Sequence, residues 1–272
     1  MKIGSIGGTA SYASFRSIKT ANDDINQTLG RLSSGRRPVV EGPVVALLAE
    51  GLKAQANGYE AANRGLAQAA SVLVTADGAV ASQTQDLQRI REIAVQASNG
   101  TLGAAERGAL EAEFNSLREN IDFTARSTNF NGQKLLDGTF SADVQAGPNP
   151  GDQISVSIPN TGKTALGLNG LNFDTQEDAT NALVAIDSAL SKLSGARAKV
   201  GAAYSRIDSA ISTNSVAQAN VSAAAANVTD IDFIQEIAKL SLQKIQLQAS
   251  IAAFNAEDSA KKSILELTLG KK

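Results

Sequence analysis

The chain contains no cysteine, no histidine and no tryptophan, and only one methionine. Without cysteine there are no disulfides and no thiolate chemistry. Without histidine there is no imidazole base, so triads of the serine–histidine or cysteine–histidine kind are excluded. Aromatic residues make up 4% of the 272 residues. Alanine, serine, leucine and asparagine take their place, and such small residues give the thin, close-packed interior of a helical bundle rather than a sandwich core. The formal net charge is -2, which predicts neither nucleic-acid binding nor adhesion to anionic membranes. No apolar run approaches the eighteen or so residues of a membrane-spanning helix, so no membrane insertion is expected. The start, Met1 to Gly8, lacks a basic stretch followed by a long apolar core. It does not read as a cleavable secretory signal, so export would use another route.

What the chain does have is two very long three-four apolar series. The first runs through Val45, Leu48, Leu52, Gln55, Tyr59, Ala62, Leu66, Ala69, Leu73, Ala76, Val80, Gln83, Leu87, Ile90, Ala94 and Ala97. The second runs through Leu183, Ile186, Leu190, Leu193, Arg197, Val200, Tyr204, Ile207, Ile211, Asn214, Gln218, Val221, Ala225 and Val228. The mean spacing of about 3.5 residues describes a left-handed coiled-coil seam. Helices over 44–98 and 176–228 would each be roughly 80 Å long.

A third series, Phe15, Ile18, Asn22, Ile25, Leu29 and Leu32, begins after a Gly-rich, extended segment over residues 1–10. Asn22 either fixes register at a core position or lies on a solvated face. Gly30, Ser33-Ser34-Gly35, Pro38 and Pro43 close this helix. A shorter helix over 104–128 carries Leu110, Phe114, Leu117, Ile121 and Ala125 on one face. Asn129-Phe130-Asn131-Gly132 is a turn. Ile154-Ser155-Val156-Ser157-Ile158 alternates as a half-buried strand, joined through Gly147–Asp152 to a first strand around Val144.

The last segment has two adjacent apolar stripes. One is Ile234, Ala238, Leu242, Ile245, Ala249 and Ala252; the other is Ile237, Leu240, Leu247, Ile251 and Phe254. Together they are wider than one partner helix covers. Either this helix lies in the middle of a bundle within one chain, or one stripe meets the N-terminal helix and the other a second subunit. Asp230 and Asp232 precede it and are read as caps rather than metal ligands. The acidic pairs Asp23-Asp24 and Glu111 with Glu113 read as solvated carboxylates near helix starts. The three Asn-x-Ser/Thr sequons, at Asn26, Asn220 and Asn227, all fall on expected helices and are taken as chance matches. No constellation supports catalysis, a cofactor or a metal.

Several of these segments, in order, resemble the bacterial flagellin family. They are Leu32-Ser33-Ser34-Gly35-Arg36, the stretch from Leu87 to Gly100, Phe130-Asn131-Gly132-Gln133-Lys134-Leu135-Leu136, the Val144–Gly147 and Asp152–Ile158 hairpin strands, and Val228-Thr229-Asp230-Ile231-Asp232-Phe233. The resemblance implies a mainly α fold: a long antiparallel coiled-coil or helical-bundle rod with one small β-hairpin. It implies that 1–43 and 229–272 pair as the coiled-coil domain of a filament's inner tube. Residues 44–228 would form a rod-like outer-tube domain with its hairpin at about 140–170. With only about forty residues, 137–176, between the helical halves, the chain looks like a minimal form lacking outer variable domains. Two departures stand out. The connector Arg36–Pro43 is more apolar than the family's and twice interrupted by proline, and the Asn-Thr-Asn opening is missing.

The implied function is that of an extracellular subunit that polymerises into the flagellar filament for swimming, with no enzyme activity. Self-assembly would fall to Phe15, Ile18, Ile25, Leu29, Leu32, Ile234, Ile237, Leu242, Ile245, Ile251 and Phe254. The implied partners are other copies of the chain, the flagellar export apparatus and its chaperone, and hook-associated and cap proteins. A further one is the animal Toll-like receptor for flagellin, whose recognition residues match Gln88, Arg89, Ile93 and Glu113. The rivals are a hook-filament junction protein, which shares the terminal helices, and a secreted helical toxin, which would need a long apolar hairpin that this chain lacks.

Overall fold

The computed structural model describes the backbone of residues 6–36 and 43–270, with the side chains of 12–36, 44–264, 266, 267 and 270. Among the described residues, six helices and two pairs of short strands follow in the order α1 (Ile6–Ser34), α2 (Pro43–Ala97), α3 (Ala104–Ser127), β1 (Asn129–Phe130), β2 (Gln133–Lys134), β3 (Ser141–Gln145), β4 (Gln153–Ser157), α4 (Lys163–Leu166), α5 (Gln176–Thr229) and α6 (Phe233–Leu269). The fold is mainly α, as expected. Backbone contacts divide it into Met1–Lys53 with Ser222–Lys272, and Ala54–Val221.

Some boundaries differ from expectation. Residues 6–10 are helical, not extended, because α1 begins at Ile6. Gly30 lies inside α1, and the helix stops where Gly35 takes a left-handed φ of 69°, a conformation that glycine adopts without penalty. Pro43 opens α2, a position where its missing N–H costs nothing. Pro38 and most of the connector lie outside the described residues.

In the 54–221 unit, α2, α3 and α5 share one apolar core with the β3–β4 hairpin. From Ala62 to Ala97 the buried positions of α2 follow the expected series, including Leu66, Leu73, Val80, Leu87 and Ile90. Nearer its start, in the other unit, Val45 and Leu48 are exposed while Ala49 is buried. Along α5 the inward face is a strict alternation of small and large residues. Alanines 182, 189, 196, 203 and 210 alternate with Ile186, Leu193, Val200 and Ile207. The expected core positions Arg197 and Tyr204 are exposed, and Ala196 and Ala203 take their place. Arg197 instead donates to Asp77 of α2 at 3.0 and 3.2 Å. The apolar face of α3 is as expected, with Phe114 against Phe173 at 4.7 Å between ring centroids.

The hairpin β3–β4 pairs Ser141 with Ser157 through Gln145 with Gln153, and Ile154, Val156 and Ile158 point into the core. Asn129–Gly132 is more than a turn: Asn131 and Gly132 both have positive φ, 49° and 81°, which closes the extra antiparallel pair β1–β2.

In the other unit α1 and α6 pack along their lengths. Gly35 accepts a bond from the Ile231 amide at 3.2 Å. Asp232 caps α6, accepting from the amides of Ile234 at 2.9 Å and Gln235 at 3.2 Å.

Candidate functional site

The seam between α1 and α6 joins residues of the expected apolar series with polar ones that the apolar pattern does not select. On α1 it is Ser14, Ile18, Ala21, Ile25, Thr28 and Leu32, with Arg31 beside them; on α6 it is Glu236, Leu240, Gln243, Leu247, Ser250, Phe254 and Glu257. Both keep three-four spacing, so the pair is a heptad seam. Polar residues tie it at both ends. Ser14 donates to Glu257 at 3.2 Å, and Arg31, itself buried, is ion-paired with Glu236. These two ties join the start of the described seam on α1 to its end on α6 and the reverse, as in an antiparallel pair.

Of the expected assembly residues, this seam takes up Ile18, Ile25, Leu32 and Phe254. It leaves out the others. Phe15 is 59% exposed and Leu29 is also exposed, as is Asn22, which therefore lies on a solvated face of the single chain. On α6, Ile234 is 82% and Ile245 61% exposed, and Ile237, Leu242 and Ile251 are also exposed.

The geometry of α6 explains the division. Ala238, Leu242, Ile245, Ala249 and Ala252 each stand two residues beyond a seam position, about 200° round the helix at 3.6 residues per turn. This stripe therefore faces away from α1. Ile237 and Ile251 stand one residue beyond the seam, about 100° round. Among the described residues, α6 thus turns a mixed seam face to α1 and leaves an apolar stripe exposed on the opposite side.

The second expected surface lies on α2 and α3. Gln88 is exposed, and Arg89 donates to Glu113 at 2.8 Å and to Glu92 at 3.0 Å. These bonds hold the guanidinium in its charged form more firmly than usual. Arg91 turns to the other side and meets Asp187 of α5 at 2.7 Å. Ile93 does not belong to this surface. It is 0% exposed, because it lies three residues after Ile90 and joins the core stripe. Among the described residues no group of three or more Asp and Glu could hold a metal ion.

Two family models match the chain: the bacterial flagellin N-terminal helical region over residues 9–141, and the C-terminal helical region over 183–268. The chain is 31% identical to a flagellin of Bacillus subtilis, covering 92% of this chain and 94% of that one. It is 32% identical to a flagellin of Halalkalibacterium halodurans, covering 89% and 90%. Among solved structures, a flagellin of Bacillus cereus superposes with a TM-score of 0.52 at 30% identity, over 56% of this chain and 88% of that one. A flagellar hook-associated protein of Vibrio parahaemolyticus gives 0.60 at 17% identity, over 70% and 100%, which is a likeness of fold. With matches at both ends and along most of its length, the chain belongs to the bacterial flagellin family.

Proposed function

We propose that this protein is the structural subunit of a bacterial flagellar filament and polymerises by burying the outward apolar stripe of α6 and the exposed apolar residues of α1 against other copies. The observation that carries this reading is the double-faced α6. A helix with Ile234, Leu242 and Ile245 opposite a covered seam gains roughly 1.5–3 kcal/mol for each large aliphatic side chain it buries fully. Repetition of that gain along a polymer supplies an assembly energy without any chemistry. On this reading the protein is not an enzyme. It is exported to an extracellular filament, and the chaperone, export apparatus, hook-associated and cap proteins of the flagellum handle the same terminal helices before or at the ends of the polymer.

A second reading attaches to the exposed Gln88, Arg89 and Glu113, without Ile93. This surface suits recognition of the monomer by the animal Toll-like receptor for flagellin. The guanidinium already bridges two carboxylates, so a partner would bind an ordered charged patch rather than a loose side chain.

The test of the main reading is assembly itself. Purified monomer, seeded with short filament fragments, is followed by sedimentation and negative-stain microscopy. The expected result is tubular filaments; monomer that stays in the supernatant under every salt and seed condition overturns the reading.

A further inference from the structure

The apolar repeat of α5 specifies a face better than it specifies a position along the helix axis. On α5, alanine and a larger aliphatic residue alternate with a seven-residue repeat from Ala182 to Ala210. Such a surface presents nearly the same relief again after seven residues, about 10 Å along the axis. The hairpin laid on it offers Val144, Ile154, Val156 and Ile158, all branched aliphatics on one face of the ribbon. Strand alternation decides which face is buried, and says little about where along the helices the ribbon stops.

The repeat is broken on α5 at Asn214 and on α2 at Gln83. Both side chains are buried, and both use their amide nitrogens on backbone carbonyls of other elements. Asn214 donates to Ala146, at the tip end of the hairpin, at 2.7 Å. Gln83 donates to Thr161, just past its base, at 3.3 Å, and to Ile121 of α3 at 2.9 Å. The pairs Arg91–Asp187, Arg197–Asp77 and Asn63–Ser215 run antiparallel along α2 and α5, so Gln83 stands level with the neighbourhood of Leu193. From there to Asn214 is 21 residues of helix, about 30 Å. From Gln153 to Thr161 is eight residues of extended chain, about 26 Å. The two amides are therefore set about one hairpin apart.

We infer that Gln83 and Asn214 act together as an axial register lock for the β3–β4 hairpin, one at its base and one at its tip. A buried polar residue in an otherwise repetitive apolar seam can fix register at some cost in stability. That cost is visible here, since the Gln83 side-chain oxygen is buried with no hydrogen-bond partner. The hydroxyl of Thr161, beside it, is likewise unpartnered. Gly58 adds a shape element at the tip, where a Cβ would meet Pro148 at 2.8 Å, but a notch for one ring does not hold the base.

The test exploits the absence of cysteine. Spin labels at Ser157→Cys and Ser205→Cys, both exposed, report the position of the hairpin on α5. In the parent the label distance is expected to form one narrow population. In Gln83→Leu/Asn214→Leu it is expected to broaden or split, while the melting temperature stays the same or rises. A single unchanged distance in the double variant overturns the inference. So does loss of cooperative melting in either single variant, because the amides would then be needed for stability rather than position. Amide exchange separates the two ends: Asn214→Leu should speed exchange at Ala146 and Gln83→Leu at Thr161, and equal exchange at both sites in both variants also overturns it.

Discussion

Arg31 of α1 and Glu236 of α6 form an ion pair in which both side chains are largely withdrawn from water. Arg31 also donates to Thr28 at 3.0 Å, so the guanidinium is held within a polar cluster at one end of the seam. Removing Glu236 takes one charged partner out of this largely buried cluster. Glu236→Ala should therefore loosen α1 from α6, measurably speeding amide exchange of residues 18–32 in the monomer. Arg31→Met/Glu236→Leu should recover most of the protection. Equal protection in parent and Glu236→Ala would show that the pair contributes nothing to the seam.

Two glycines of α2 make opposite predictions. Gly65 has open space where the methyl of an alanine would stand, whereas a Cβ at Gly58 would meet Pro148 of the hairpin turn at 2.8 Å. Alanine is favoured over glycine in a helix interior by about 0.5–1 kcal/mol. Gly65→Ala should raise monomer stability by about that amount, and Gly58→Ala should lower it, because a proline ring in a tight turn has little room to yield. Urea melts of the two variants measure both signs.

Much of this architecture is legible in the sequence, and the failures have physical causes. From Ala62 to Ala97 the three-four series names the buried face of α2 because large aliphatics recur at fixed spacing. On α5 the same counting selects Arg197 and Tyr204, when their neighbours Ala196 and Ala203 turn inward; an alanine carries too little hydrophobicity to outweigh a larger residue beside it. The α1–α6 seam is missed at Ala21, Thr28, Arg31 and Gln243 because an apolar pattern gives weight neither to a small alanine nor to polar residues, although Arg31 is buried by its bonds to Thr28 and Glu236. Ile93 matches the receptor motif by letter and is buried all the same, since a motif does not say which way a helix faces. The short helix α4 leaves no period to read. On α6 the stripes show that more than one face is apolar, but the second stripe is divided: Leu240, Leu247 and Phe254 enter the seam, while Ile237 and Ile251 stay exposed.

Arg89→Ala should reduce signalling through the animal flagellin receptor while leaving the melt unchanged. Its guanidinium contacts Glu92 and Glu113 at the surface, and exposed ion pairs add little to stability. An arginine at the centre of an interface, however, can dominate binding. Receptor-reporter assays over a range of monomer concentrations, beside thermal melts, measure the two effects separately. Unchanged signalling removes the receptor reading from this surface.

Asp137, in the loop between β2 and β3, gives the fold an acid-sensitive element. Its carboxylate accepts from the Thr139 hydroxyl at 2.7 Å and the Thr139 amide at 2.9 Å, and these bonds hold its pKa below the ordinary carboxylate value. A group whose pKa is lowered by folding stabilises the fold above its unfolded pKa. That contribution is lost as the pH falls through the folded value. Asp137→Asn keeps an acceptor in place and does not titrate, so its melting temperature should fall less steeply than the parent's below the carboxylate range. Parallel acid limbs would contradict this.

The central claim is that the outward stripe of α6 is an assembly surface and not part of the single chain's core. Ile245→Asp tests it most directly. The side chain stands exposed, opposite the α1 seam, so an aspartate there should leave the monomer's cooperative melt intact. In the polymer the same carboxylate would be buried in an apolar contact, at a cost of several kcal/mol unless it is neutralised. Seeded sedimentation of the variant should find all of the protein in the supernatant, with an unchanged melt. Filaments of parental length and yield from Ile245→Asp would contradict the account.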